Sequence, residues 1–189
     1  MTLSTCARIC NDEGKVLPND GVSVGHIECR GPCVIQRYFN KDIPAVNKDG
    51  FFATGDVGTL DKMGVMTITD RSKDVVKSGG EWISTIEIEN LAMGHPAIRE
   101  AAVCAFPSVK WGERPLLVCV LKDATADHET VKAELYRHLT RKIASISMPD
   151  DIVFVPEIPH NATGKVSKLT LREMFKHHQA QVPKPWPKL

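Results

Sequence analysis

Apolar residues in the first 70 positions occur in short alternating runs, the pattern of β-strands. These runs occupy residues 7–10, 15–17, 26–30, 57–60 and 65–69. Two gaps between them, residues 11–14 and 61–64, end in a glycine that can adopt positive φ, which is a hairpin signal. No convincing helical period appears before residue 80. We therefore predict an all-β segment over residues 1–70, barrel-like or part of a barrel.

Helical periods appear in the second half of the chain. A capping box at Ser84 and Glu87 predicts a helix that ends near Met93. A second helix is predicted over residues 129–145, where one face carries apolar residues at four-residue spacing: Val131, Leu135, Leu139 and Ile143. Ser167 opens a predicted third helix, whose expected core residues are Leu171, Met174 and Phe175.

Apolar strands are predicted between these helices at residues 99–106, 116–122 and 151–155, with a polar loop over 107–115. The resulting order is helix, strand, strand, helix, strand, helix. The predicted fold class is thus α+β, with a short all-β barrel-like segment at residues 1–70 and a small mixed α+β C-terminal domain at residues 71–189.

Composition and charge exclude several classes of protein. The 189 residues are 42% hydrophobic and 25% charged, as in globular proteins, and carry a net charge of +1. This balance argues against nucleic acid as a partner. Apolar runs are too short to predict a transmembrane segment, and no secretory signal is seen. We expect an intracellular, most simply cytoplasmic, protein; the final Pro187-Lys188-Leu189 leaves a peroxisome-like compartment open.

The six cysteines are expected to be free thiols, since no secretory signal is seen. They form two C-x3-C pairs and two single positions: Cys6 with Cys10, Cys29 with Cys33, Cys104, and Cys119. Structural zinc sites more often use C-x2-C with a turn between the ligands. We predict no metal site, and a zinc- or redox-regulated switch ranks third among the functional hypotheses.

Asp56 ends a Thr-Gly-Asp triplet directly before a predicted strand. A carboxylate that follows a glycine can accept two hydrogen bonds from a ribose diol, because the glycine lets a ligand approach the backbone. The alternative is an aspartate that caps a turn.

A charged, glycine-containing stretch, residues 71–82, follows where the all-β segment ends. Arg71 and Lys77 could each hold a phosphate or a diol, and Gly79-Gly80 removes two side chains from whatever passes beside them. The alternative is a charged interdomain linker with a Gly-Gly turn.

Lys165 follows Gly164 in a loop that resembles the end of a phosphate-binding loop. The full motif fails, because Pro159 and Val166 occupy positions that require Gly and Ser or Thr. A mobile lysine ahead of a helix could stabilise developing oxyanions. The alternative is a solvated loop lysine.

Taken in order, these segments resemble the C-terminal part of the adenylate-forming (AMP-binding) acyl-CoA synthetases over residues 24–168. Residues 25–39 are similar to a Gly-Glu…Gly…Gly-Tyr segment of that family, with His26 and Arg37 as departures. The Thr-Gly-Asp triplet resembles the ribose-binding step, residues 71–80 the hinge motif and residues 159–165 the catalytic-lysine motif. Further similarity to the medium- and long-chain fatty-acid branch lies in residues 79–84 and 111–115: Gly-Gly-Glu-Trp-Ile-Ser and Trp-Gly-Glu-Arg-Pro.

The resemblance implies two half-reactions, with ATP, Mg²⁺, coenzyme A and a fatty acid or other carboxylate as reactants. Asp56 and Arg71 would bind the nucleotide, and Lys165 would be catalytic in forming the acyl-adenylate. The C-terminal domain would then act as a mobile lid that turns about Lys73 and brings Gly79 and Gly80 to the coenzyme A tunnel.

The family's larger N-terminal region, with its Ser/Thr/Gly-rich phosphate loop, has no counterpart in this sequence. We therefore expect a ligase part that depends on that missing region and makes no acyl-adenylate alone. The competing hypothesis is a truncated, non-catalytic module that binds nucleotide, coenzyme A or a protein.

Overall fold

The computed structural model describes residues 5–140 and 142–178. The chain forms two compact units, Met1–Lys73 and Asp74–Leu189, called unit 1 and unit 2 below. Over its described residues, unit 1 has strands and no helix, whereas unit 2 combines helices with a mixed sheet, so the predicted α+β class is confirmed.

Unit 1 is a four-stranded antiparallel sheet in the order β1-β2-β3-β4. Its strands are β1 (Cys6–Cys10), β2 (Gly25–Arg30), β3 (Phe52–Leu60) and β4 (Met66–Arg71). The sheet is open within the described residues, where the sequence predicted a barrel-like segment. The expected strand at residues 15–17 contributes an isolated bridge between Cys10 and Val16. A small core of Ile9, Ile27 and Leu60 holds the sheet together.

Unit 2 is built around a long β-hairpin. Its sheet has the order β6-β5-β8-β7, with β9 parallel to β8. The strands are β5 (Val76–Ser78), β6 (Glu81–Ile83), β7 (Ile98–Ser108), β8 (Gly112–Leu121) and β9 (Asp151–Phe154). Strands β7 and β8 pair along their whole length and form the centre of the unit.

Helices cover both faces of the β7-β8 hairpin. They are α1 (Thr85–Met93), α2 (His128–Leu139) and α3 (Lys168–Phe175), with a short 3-10 turn at Ser145–Ser147. Helices α1 and α2 pack with Val103 and Leu117 on one face. Helix α3 contributes Leu171 to the core on the other face, beside Ala102. Because both faces of the hairpin are buried, its strands are almost continuously apolar.

Helix starts were predicted well from their capping residues. The side chains of Ser84 and Ser167 accept backbone N–H bonds from Glu87 and Thr170, which confirms both N-caps. The end of the second helix was predicted wrongly. Helix α2 stops at Leu139, since Thr140 takes an extended ψ of 136° and bonds back to the carbonyl of Tyr136.

Two other predictions for unit 2 were wrong, and one hairpin was not predicted. The expected polar loop at residues 107–115 is mostly strand, because the β7-β8 ladder continues to the pair between Ser108 and Gly112. Met174 was expected in the core and is 56% exposed. The β5-β6 hairpin was not predicted, because its strands are three residues long and too short to show a period.

Candidate functional site

Asp56 and Arg71, the residues predicted to bind nucleotide, face each other across β3 and β4. They are register partners, and Arg71 Nε donates to Asp56 Oδ1 at 2.9 Å. The Asp56 side chain is 22% exposed and that of Arg71 68%. The carboxylate is therefore held in place beside an accessible guanidinium. Since each carboxylate oxygen has about two acceptor sites, Asp56 can accept hydrogen bonds from the hydroxyls of a diol while it stays paired with Arg71.

The residues around Asp56 fix its position on the strand. Thr54 Oγ1 donates to the carbonyl of Ile27 at 3.0 Å and accepts from the Asp56 N–H at 3.1 Å. Gly55 adopts φ of +80°, and its carbonyl accepts the Ser72 N–H at 2.9 Å. An added Cβ would meet nothing within 4 Å, so space does not require a glycine at this position. The positive φ does require it, since residues with a side chain rarely adopt that conformation.

Lys73, the predicted hinge, is the last residue of unit 1. The residue before it is tied to unit 1, since Ser72 Oγ lies 3.1 Å from His26 Nδ1. The residue after it is tied to unit 2, where Arg172 Nη1 donates to Asp74 Oδ1 at 2.8 Å. The hydrogen bond of Ser72 thus lies within unit 1, and that of Asp74 lies within unit 2. Its role as a hinge stays a prediction.

Gly79 and Gly80 form the two-residue turn of the β5-β6 hairpin, between the paired residues Ser78 and Glu81. Their φ angles are +59° and +91°, so both lie in the left-handed region required by a type I′ turn. The turn is attached to the connection between β7 and β8, where the Gly79 N–H donates to the carbonyl of Trp111 at 2.9 Å.

The two glycines differ in what surrounds them. A Cβ on Gly79 would lie 2.8 Å from Cε3 of Trp111, whereas a Cβ on Gly80 would meet nothing within 4 Å. Gly79 is therefore restricted by packing within the chain itself. The space beside Gly80 is open in unit 2 and could admit a narrow ligand.

Lys165 closes a five-residue turn that is organised by Asn161. Asn161 Oδ1 accepts the N–H of Thr163 at 2.9 Å and of Lys165 at 3.0 Å, and Gly164 adopts φ of +78°. The Asn161 N–H also donates to the Lys165 carbonyl at 2.8 Å. The sequence predicts a loop with a mobile lysine here, whereas the backbone of the loop is held by side-chain hydrogen bonds.

The same turn occurs three more times among the residues that the structure describes. These turns lie at residues 11–15, 47–51 and 61–65. Each begins with Asn or Asp, whose side chain accepts the backbone N–H of the fifth residue of the turn. The fourth residue of each turn is a glycine with φ between +77° and +81°. Two of them were predicted as hairpins from this signal. Comparison with them would have identified residues 161–165 as the same turn.

The Lys165 turn and the Gly79-Gly80 turn lie at opposite ends of β7. His160, at the base of the lysine turn, contacts Glu100 at 2.7 Å near the start of the strand. The glycine turn contacts Trp111, which lies beyond Ser108 at the strand's other end. From position 100 to position 108 a strand rises about 26 Å, at about 3.3 Å per residue. The two turns therefore cannot occupy one place together.

Two residues with a bearing on the site were missed in the sequence. Arg114 is 6% exposed and donates to Ser78 Oγ, beside the glycine turn. His160 anchors the lysine turn through Glu100. The available signal for Arg114 is a charged residue directly before an apolar strand, at the end of the predicted polar loop over residues 107–115.

The structure shows the state of the cysteines and tests the metal hypothesis over the described residues. All six cysteines are free, and burial raises the pKa of Cys104 to about 11 and of Cys119 to about 12. Within residues 5–140 and 142–178, no group of three His, Cys, Asp or Glu side chains could hold a metal ion. In the same ranges, no helix is long and apolar enough to cross a membrane. Pro187-Lys188-Leu189 lies outside the described residues.

Part of unit 2 matches a known protein family. Residues 87–165 match the family model of the AMP-binding enzyme C-terminal domain. The chain is 51% identical over 89% of its length to a 3-methylmercaptopropionyl-CoA ligase of Ruegeria pomeroyi. It is 48% identical over 89% to a medium-chain-fatty-acid–CoA ligase of Ectopseudomonas oleovorans.

Solved structures agree with this assignment. ATP-bound MatB from Rhodopseudomonas palustris matches 92% of the chain with a TM-score of 0.76 and 35% identity. The chain spans 31% and 30% of the lengths of the Ruegeria and Ectopseudomonas ligases, and 34% of that MatB chain. The chain is therefore similar to about a third of each of these ligases, and its family match is to the C-terminal domain of AMP-binding enzymes, as the resemblance implied.

Proposed function

We propose that this chain supplies the C-terminal part of an ATP-dependent acyl-CoA ligase that acts on a fatty acid or another carboxylate. The proposal is supported by similarity to ligases for 3-methylmercaptopropionate, medium-chain and long-chain fatty acids. Mg²⁺ would enter with ATP and neutralise phosphate charge.

In the first half-reaction, a carboxylate oxygen attacks the α-phosphorus of ATP and pyrophosphate leaves. Asp56 accepts hydrogen bonds from the ribose hydroxyls, and Arg71 lies beside it. Lys165 offsets the repulsion between the substrate carboxylate and the phosphate, an effect that is stronger where water is excluded. The turn held by Asn161 presents this lysine ahead of helix α3.

In the second half-reaction, the thiol of coenzyme A attacks the acyl carbon and AMP leaves. The Gly79-Gly80 turn borders the path of the pantetheine arm, where the open space beside Gly80 admits the thiol. Lys165 has no part in this step.

The observation that carries the proposal is the separation of the two turns along β7. The positions of β7 nearest to them, 100 and 108, are about 26 Å apart along the strand, yet both half-reactions take place on one acyl-adenylate. Unit 2 must therefore move between the steps, and Lys73 is the place where the bonding changes from one unit to the other.

The experiment uses a chimera in which residues 1–189 replace the corresponding C-terminal part of the Ectopseudomonas oleovorans ligase. We expect the chimera to form acyl-CoA. We expect Lys165→Ala to slow pyrophosphate exchange by about 10²–10³-fold, the usual cost of removing a preorganised charge donor. Thioester formation from supplied acyl-adenylate should be nearly unchanged. Lys15→Ala is the matched control, because Lys15 follows Gly14 in the same kind of turn.

Two results would reject the proposal. A soluble, folded chimera without thioester formation would favour the non-catalytic binding module. Equal pyrophosphate exchange in the Lys165→Ala and Lys15→Ala variants would remove Lys165 from the chemistry.

A further inference from the structure

Arg114, near the start of β8, connects that strand to Ser78 in β5 and to residues 146–150. Its guanidinium donates to Asp150 Oδ1 at 2.7 Å and to Ser78 Oγ at 2.9 Å. It also donates to the carbonyls of Ile146 and Met148 at 2.7 and 2.9 Å. The residue is 6% exposed, so these bonds form away from bulk water, where a charged donor contributes more than a neutral one.

The glycine turn is joined to the two central strands over a short stretch of chain. Strand β5 pairs with β8 at Ser78 and Gly112 alone, whereas β7 and β8 share a long ladder. Two bonds lie at the same place: the Gly79 N–H donates to the carbonyl of Trp111, one residue before β8, and the Lys77 N–H donates to Glu113 Oε2 at 3.1 Å. The turn is thus attached to a short stretch, residues 111–114, that ends at Arg114.

We propose that Arg114 is a positioning residue for thioester formation: by holding Ser78, it fixes the Gly79-Gly80 turn against β8. Ser78 is fully buried and directly precedes the turn, so a shift of its side chain moves the first glycine. The proposal rests on the proposed function, because it assigns Arg114 to the step in which that turn is used.

The chemistry of the site favours arginine over other cations. Its planar fork points donors in several fixed directions at once, whereas a lysine ammonium is a compact charge on a flexible stem. The carbonyls of Ile146 and Met148 lie at and just beyond the Ser145–Ser147 turn, where helical carbonyls lack internal partners. Arg114 therefore ties the glycine turn to this loop as well as to Asp150.

The first experiment uses the 189-residue chain and needs no catalysis. Hydrogen exchange measured by mass spectrometry should be faster by about tenfold or more in peptides covering residues 77–81 of Arg114→Lys and Ser78→Ala, since each lost bond to the turn weakens its protection. Peptides from helix α2 should exchange as in the unchanged chain. Unchanged exchange at 77–81 in both variants would overturn the proposal.

The second experiment measures both half-reactions in the chimera. Arg114→Lys and Ser78→Ala should lower the rate of thioester formation, or raise the KM for coenzyme A, by about tenfold while pyrophosphate exchange stays within about twofold. Ser78→Thr retains a hydroxyl and should recover most of the loss if its methyl group fits. Lys132→Met is the control: it breaks an ion pair with Asp151, next to Arg114's partner Asp150, and leaves the bond between Arg114 and Ser78 in place.

The outcomes separate this inference from the proposed function. If the unchanged chimera forms no thioester, the proposed function fails, and the functional part of this inference fails with it. If the chimera is active and both variants slow the two half-reactions equally, the loss is one of general stability and the positioning role is rejected. Ser78→Ala keeps the inference testable where an Arg114 variant does not fold, because it removes one bond and leaves the arginine in place.

Discussion

Alanine substitution at the two neighbouring glycines of the β5-β6 turn should have different consequences. Both positions have positive φ, +59° at Gly79 and +91° at Gly80. An alanine in the left-handed region costs about 1–2 kcal/mol at either position. Only at Gly79 would the new Cβ also collide with another part of the chain, the ring of Trp111 at 2.8 Å.

The collision sets the difference in magnitude. Overpacking by one methyl group typically costs about 1–3 kcal/mol when the neighbours have to shift. We therefore expect Gly80→Ala to lower the free energy of unfolding by about 1–2 kcal/mol and Gly79→Ala by about 2–5 kcal/mol. Trp111 is 38% exposed, so some movement of its ring is possible and favours the lower part of that range.

Urea denaturation of the 189-residue chain, followed by circular dichroism, measures both changes. A double-mutant cycle with Trp111→Ala isolates the collision, because the extra cost of Gly79→Ala should disappear once the ring is removed. Gly80→Ala should cost the same with and without the ring. Equal costs for the two glycines, or no coupling between Gly79 and Trp111, would refute the account of this turn.

The same pair separates stability from function. No atom of the chain lies within 4 Å of a Cβ placed on Gly80. In the chimera we therefore expect Gly80→Ala to slow thioester formation well beyond its effect on pyrophosphate exchange. Normal thioester formation in Gly80→Ala would show that this space is not used by coenzyme A.

Three further predictions concern other parts of the structure. Asn161→Ala should slow pyrophosphate exchange in the chimera by about tenfold, equivalent to about 1.4 kcal/mol, because the lysine turn loses its central acceptor; Asp61→Ala, in the same kind of turn in unit 1, should not. Asp56→Asn should raise the KM for ATP by about tenfold or more but have less effect with 2′-deoxy-ATP, which lacks one hydroxyl of the diol; an equal effect on both nucleotides would contradict the ribose contact. Burial, and then the neighbouring His138, lowers the pKa of His95, so the unfolded chain binds more protons than the folded chain as the pH falls. The free energy of unfolding should therefore keep its full value above about pH 6.5, the unfolded pKa, and decrease as the pH drops below it. Denaturation measured at several pH values should show a smaller decrease in His95→Gln.

Local signals in the sequence predicted much of the fold. The Asx-x-x-Gly turns and the serine N-caps depend on bonds within five residues, so the sequence shows donor and acceptor together. The end of α2 depends on the backbone conformation of Thr140, for which the apolar spacing through Ile143 gave no warning. The apolar spacing alone therefore predicted an end for α2 that lies beyond Leu139.

Non-local pairing explains most of what the sequence did not show. Ser78 and Arg114 are separated by 36 positions and meet through the β5-β8 ladder, so no motif connects them. The Asp56–Arg71 contact follows from the register of the β3-β4 hairpin, whose turn was predicted but whose bulge after Val57 was not. The candidate residues could be named from the sequence, whereas their separation along β7 required the structure.

The central claim is that one unit presents its two ends in turn to the same intermediate. The most direct test is a distance measured by double electron–electron resonance in the chimera, stripped of other reactive cysteines. One spin label would be placed at Ala162 in the lysine turn and the other at Met63, which is 88% exposed in a unit 1 hairpin. The account predicts one distance with a stable acyl-adenylate analogue and another, shifted on the order of 20 Å, when coenzyme A is added. The same distance distribution in both states would contradict it.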